Sequence, residues 1–133
     1  MAAPAIITLL DSDVLIDILP QHPAARDWLE RETDTKVVIH GVVAMETISG
    51  SSNKEDLRRN QAFLSRFTIA WPTPAEFEYA YRLLAEYRLA TAIGIPDCLI
   101  AATAMTRGWR LYTFNLKHYR HLSGLQVDAP YPR

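Results

Sequence analysis

The stretch Ile7–Leu19, ITLLDSDVLIDIL, decides how the chain is read. Its first half belongs to a short continuous apolar run, Ala5–Leu10, of the kind found in strands covered on both faces. The second half, DSDVLIDIL, has helical spacing and is expected to end at Pro20. Three carboxylates, Asp11, Asp13 and Asp17, sit in this apolar setting, where an unpaired charge is costly to bury. Singly, Asp11 suits the cap of a helix starting near Ser12, and Asp13 suits that helix's positive end. Asp17 shares the Asp13 face and is expected on solvated surface.

The same alternation continues outward. His22–Glu32 reads as a helix with Ala25, Trp28 and Leu29 on one face, and Lys36–His40 as a second strand. VVAMETIS follows as a short helix stopped by Gly50. Asn53–Phe67 is an amphipathic helix with Leu57, Phe63, Leu64 and Phe67 as core candidates. Thr68–Trp71 is a third strand. Thr73, Pro74 and Glu76 then open a helix with a capping box, and Phe77, Tyr81 and Leu84 are its expected inner face. GIP at 94–96 breaks the chain before the Ala-rich helix Asp97–Gly108. Arg110–Phe114 and Leu125–Asp128 are the fourth and fifth strands. Strands separated by helices predict an α/β fold: a central parallel sheet of four to five short strands with helices on both sides. Ligands of such sheets lie beyond the strands' carboxyl ends. Asp11 follows the first strand and Asn115 the fourth.

The 133 residues, 49 % hydrophobic, suffice for one domain with a real core, expected to span 1–133. One cysteine, Cys98, precludes an internal disulfide, and no Cys/His spacing suits zinc. The N-terminus lacks a basic segment, and no apolar run reaches membrane-spanning length. A cytoplasmic protein without a membrane role is expected. The net charge of -1 advertises no nucleic-acid partner. Its distribution is uneven: no acid lies between Asp97 and Asp128, an interval holding Arg107, Arg110, Lys117, Arg120, His118 and His121.

Glu46 lies in GVVAMETISG, a helix nearly devoid of other polar side chains and expected to be mostly buried. Such a carboxylate needs a cation or a donor. Asp97, after Ile95-Pro96, can cap its own helix. Together, acids at a strand end, on an apolar helix and at another helix's head can converge at one sheet edge. A divalent cation relieves their repulsion, and all-oxygen ligation suits Mg²⁺ or Mn²⁺. No glycine-rich phosphate loop is present.

These motifs resemble the PIN-domain family, and within it the VapC ribonuclease toxins of bacterial toxin–antitoxin pairs. LLDSDVLID matches the opening motif with Asp11, VVAMETISG the second with Glu46, and GIPDCLIAATA the third with Asp97. LYTFNLKHYRHLSGLQV matches the closing segment, where Thr and Asp or Asn precede an aromatic and GL; Thr113 and Asn115 fall there. Asp13 stands where the family often has Asn, and Asn115 where many members have a fourth acid. The resemblance implies a three-layer α/β/α PIN-like fold and metal-dependent cleavage of RNA phosphodiester bonds. Asp11, Glu46 and Asp97 would hold Mg²⁺ or Mn²⁺, with Asp13 in support and Thr113 and Asn115 as polar groups of the catalytic site. Arg107, Arg110, Lys117 and Arg120 are the candidate RNA-phosphate contacts. The resemblance also implies a homodimer and a VapB-type antitoxin that places a basic side chain near the acids. Trp28, Leu29, Phe63 and Phe67 are candidates for the groove receiving it. A PIN-type nuclease outside toxin–antitoxin systems, or a non-catalytic RNA- or protein-binding PIN domain, is the alternative.

Overall fold

A computed structural model describes residues 6–18, 23–32 and 35–132. Five strands form one parallel sheet: β1 (Ile6–Leu10), β2 (Thr35–His40), β3 (Thr68–Ala70), β4 (Arg110–Tyr112) and β5 (Gln126–Asp128). Their spatial order is β3-β2-β1-β4-β5. Thr8, Leu9 and Leu10 are all buried, although successive strand residues point to opposite faces. Val38, Ile39 and His40 repeat the pattern on β2. Both faces are therefore covered, as the apolar runs predict.

The cover comes from α1 (Ser12–Ile18), α2 (Pro23–Arg31), α3 (Gly41–Ser49), α4 (Lys54–Leu64), α5 (Pro74–Thr91), α6 (Ile95–Arg107) and the one-turn α7 (Leu116–Tyr119). Ala5, Pro20 and His22, expected at element ends, lie outside the described residues. The expected capping box is present: Thr73 Oγ accepts from Glu76 N–H at 3.1 Å, and Glu76 Oε1 accepts from Thr73 N–H at 3.3 Å. Gly108 ends α6 with φ +69°, a left-handed turn that glycine adopts without Cβ strain.

Two packing expectations are corrected. On α5 the buried positions are Glu76, Ala80 and Leu83; Phe77 and Tyr81 are 53 % and 74 % exposed, and Leu84 is only partly buried. Small Ala80 and the paired Glu76 allow the close approach of α5 to Ala-rich α6, so the aromatic stripe faces away. Helix α3 is not mostly buried either. Gly41, Val43 and Ala44 face inward, whereas Met45 and Glu46 are exposed.

A buried polar chain ties the helices that carry the acids. Val42 N–H donates to His40 Nδ1 at 3.0 Å, capping α3. The neutral ring therefore carries its proton on Nε2, which faces Thr103 Oγ at 3.0 Å. Thr103 donates to Glu76 Oε1 at 2.7 Å, and Arg107 holds Glu76 through Nε–Oε2 at 2.8 Å and Nη2–Oε1 at 3.0 Å. Burial pushes the Glu76 carboxyl up, but Arg107, Thr103 and the Thr73 N–H outweigh it and hold it below the usual range. The chain joins β2 and α3 to α5 and α6. Among the described residues no helix is long and apolar enough to cross a membrane.

Candidate active site

The strand order reverses beside β1. From β1 the chain builds β2 and β3 on one side, then β4 and β5 on the other. The carboxyl ends of β1 and β4 therefore flank the crevice where such sheets bind ligands. Asp11 leaves β1 there, its N–H bonded to Tyr112 O at 2.9 Å. Its Oδ1 accepts at 2.8 Å from the N–H of Ser12, the first residue of α1. Its Oδ2 accepts from Thr113 Oγ at 2.8 Å, and Tyr119 Oη lies 3.2 Å from the same oxygen.

Asp97 arrives from the first turn of α6. Its Oδ2 accepts from Gly94 N–H at 3.2 Å, its Oδ1 accepts from Tyr119 Oη at 3.0 Å, and His118 Nδ1 lies 3.1 Å from Oδ2. One buried phenol thus touches both aspartates. Glu46 joins from α3, its Oε1 accepting from Ser12 Oγ at 3.1 Å. Beside it lies a cleft of about 430 Å³ lined by Ser12, Leu15, Ile16, Thr47 and Asn60.

Burial pushes the Asp11 carboxyl up; the bonds from Thr113 and Ser12 oppose this, and the Asp97 charge adds to it. Glu46 is also raised, by desolvation despite its exposed position, against the Ser12 bond and with the charges of Asp11 and Asp97. The carboxylates feel one another, as a cation site requires. Among the described residues, however, no three His, Cys, Asp or Glu side chains form a ready metal cluster. The fit is one of donor chemistry: Asp11, Asp97 and the exposed Glu46 would offer hard oxygens to such an ion.

The other expected residues are placed less uniformly. Thr113 is fully buried against Asp11. Asp13 Oδ2 accepts from Phe114 N–H at 3.0 Å, which ties α1 to the closing segment. Asn115 Nδ2 lies 2.7 Å from His118 Nδ1, one step removed from Asp97. Lys117 and Arg120 are exposed on and just after α7, beside His118 and Tyr119. Arg107 is corrected as a phosphate contact, because its guanidinium is committed to Glu76 and to the Trp71 carbonyl. Arg110 begins β4 and donates to Tyr112 Oη at 2.9 Å, with no described contact to the acids. Asp17, expected on solvated surface, is half-buried and accepts from Tyr131 Oη at 2.8 Å, because the segment after β5 packs back on α1. Trp28 is core, edge-on to Tyr112 at 4.9 Å, and Leu29 packs against that core. Phe63 meets Phe67 edge-on at 5.3 Å, and Phe67 lines a second, apolar cleft of about 620 Å³ with Met45, Ile48 and Trp71.

Ser12 and Tyr119 were not singled out from the sequence, and His118 only as part of the basic interval. Ser12 adjoins Asp11 at a helix start, and the closing motif asks only for an aromatic. Neither cue specifies a hydroxyl bond to an acid.

Comparison with known proteins agrees with this fold. The PIN domain family profile matches residues 8–122. Ribonuclease VapC10 of Mycobacterium tuberculosis is 33% identical over 125 residues, covering 93% of this chain and 94% of that protein. Ribonuclease VapC1 of Rickettsia felis is 31% identical, covering 90% and 92%. Among solved structures, the toxin–antitoxin complex from Klebsiella pneumoniae superposes with TM-score 0.77 at 28% identity, covering 95% of this chain and 99% of that chain. VapBC2 from Rickettsia felis, bound to a promoter DNA fragment, gives TM-score 0.78 at 25% identity, covering 93% and 98%. The chain belongs to the PIN-domain family and, within it, to the VapC ribonucleases.

Proposed function

We propose that this protein is the toxin of a type II toxin–antitoxin pair, a cytoplasmic, single-domain endoribonuclease that cuts RNA phosphodiester bonds with Mg²⁺ or Mn²⁺. The observation that carries this is the meeting of Asp11 and Asp97 on one phenol at the sheet's switch point, with Glu46 reached through Ser12. Asp11 and Asp97 would hold the ion, and Glu46 would complete its oxygen shell. A divalent ion there supplies activation of a water and neutralisation of charge on the scissile phosphate.

The chain's own residues do the rest. Ser12 N–H and Thr113 Oγ hold the Asp11 carboxylate at the end of β1. Gly94 N–H holds Asp97. Asp13 anchors the closing segment, whose exposed Lys117 and Arg120 are the candidate contacts to RNA phosphates. The cleft that Glu46 lines, with Asp56 also on its wall, gives a nucleotide room beside that acid. A VapB-type antitoxin is the proposed partner, in keeping with the antitoxin complexes among the structural neighbours. Exposed Met45, Trp71, Phe77 and Tyr81 supply apolar surface for a homodimer.

Sequencing RNA ends in cells after induction tests the reading. New ends at defined sites are expected with the natural chain and not with Asp11→Asn. Identical RNA ends in the two would refute it.

A further inference from the structure

We infer that Tyr119 is a positioning residue for the metal-holding acids: its hydroxyl fixes Asp97 against Asp11 in the arrangement that receives a divalent cation. This rests on the metal-dependent reading above and assigns a role to a residue outside the acid set.

Tyr119 is fully buried, and a buried phenol needs a partner for its hydroxyl. It meets two, Asp11 Oδ2 at 3.2 Å and Asp97 Oδ1 at 3.0 Å, each from a different element. The ring belongs to the buried hydrophobic core. Arg120 N–H bonds Leu116 O at 2.9 Å and Leu122 N–H bonds Tyr119 O at 2.9 Å, locking the turn that carries it.

The hydroxyl has one hydrogen and two acceptors. Asp11 Oδ2 is already served by Thr113 Oγ at 2.8 Å. Asp97 Oδ1 has no other donor among the described residues, since Gly94 and His118 both lie at Oδ2. The hydrogen is therefore best spent on Asp97, the shorter of the two contacts. The phenol oxygen keeps Asp97 aimed at Asp11, and the second acceptor is left for a cation. Donors to ligating carboxylates act in this way: they orient the ligand, and their loss lowers metal affinity.

The test titrates the full-length chain with Mn²⁺ by calorimetry and, separately, follows RNA cleavage against Mn²⁺ concentration. Tyr119→Phe keeps the ring, and its melting temperature in chelator verifies the fold. Tyr112→Phe is the control, because it removes a hydroxyl that serves Arg110 instead of the acids. Tyr119→Phe is expected to bind Mn²⁺ about tenfold more weakly or worse, with cleavage returning to within about threefold of the natural chain at saturating Mn²⁺. Tyr112→Phe is expected to keep the natural affinity. An unchanged Mn²⁺ affinity in Tyr119→Phe, an equal loss in Tyr112→Phe, or a cleavage defect that saturating Mn²⁺ does not restore overturns the inference. A natural chain that binds no Mn²⁺ overturns the metal reading itself, and this inference with it.

Discussion

The Thr113 hydroxyl donates to Asp11 Oδ2 at 2.8 Å, joining the buried residues that follow two neighbouring strands, β4 and β1. The same oxygen accepts from Asn115 N–H at 3.0 Å, so one side chain serves the acid and the closing segment together. Thr113→Val keeps the shape and removes both bonds. A loss of about 1–3 kcal/mol in denaturant unfolding is expected, the cost of stranding buried polar groups. Thr113→Ser is expected to retain most of that stability.

Asp11 illustrates a conflict between fold and site. Burial, with the Asp97 charge, raises its carboxyl above the ordinary value despite its donors. Its stabilising contribution is therefore present below the unfolded-state pKa and is lost as pH rises through the folded one. At neutral pH the ionised carboxylate opposes the fold. Asp11→Asn keeps an oxygen for Ser12 N–H, and the Thr113 and Tyr119 hydroxyls can turn to accept from its amide. In chelator at pH 7 this variant is expected to melt above the natural chain, by a margin that shrinks in acid. Its RNA cleavage should fall by roughly a hundredfold or more. Paired melting curves at pH 7 and pH 4 provide the check, and a variant melting lower at pH 7 would count against the assignment.

The basic residues divide by what they touch. Arg107 holds Glu76, which is 2 % exposed, and lies over Trp109. Arg107→Met is expected to cost about 3 kcal/mol of stability by leaving a buried charge unpaired. RNA affinity, measured below the melting transition, should not change. Lys117→Ala and Arg120→Ala should show the reverse: near-natural stability, weaker RNA binding, and a salt dependence shallower by about one unit each. Binding is best measured in the Asp11→Asn background, where the RNA stays intact.

Much of this was legible because local patterns and the fold agree. The apolar run into Asp11 and the Thr73–Glu76 box mark boundaries where the structure has them, and the helix expected from Asp97 begins two residues earlier, at Ile95. The α5 face was not legible. Helical spacing reveals an apolar stripe, but not whether the neighbouring helix is small enough to demand a different one. Glu76 reads as a capping residue and is one, yet its second partner, Arg107, is supplied by another helix. Tyr119 and Ser12 escaped for a similar reason: a hydroxyl's partner is fixed by tertiary contact, and no spacing rule along the chain names it.

His40 gives the fold a pH signature distinct from that of the acids. Burial, more than any neighbour, lowers its pKa to about 4; the Glu76 charge opposes this and Arg107 adds to it. The folded state therefore binds fewer protons than the unfolded state between that value and the ordinary one. Stability is full above the unfolded pKa and falls as pH drops through the window. Asn at position 40 still offers an oxygen to Val42 N–H but does not titrate. Between pH 7.5 and 4.5 the natural chain is expected to lose roughly 2–3 kcal/mol more than His40→Asn. Denaturant unfolding of both proteins at the two pH values measures that difference.

The central claim is that Asp11 and Asp97 hold a divalent ion that RNA cleavage requires. The direct measurement is cleavage of purified RNA by the full-length chain, freed of antitoxin and stripped by chelator, as Mn²⁺ is added back. No cutting is expected in chelator, saturable cutting on add-back, and none from Asp97→Asn at any Mn²⁺ concentration. Cutting that persists in chelator, or an Asp97→Asn chain that cuts at the natural rate, would contradict the account.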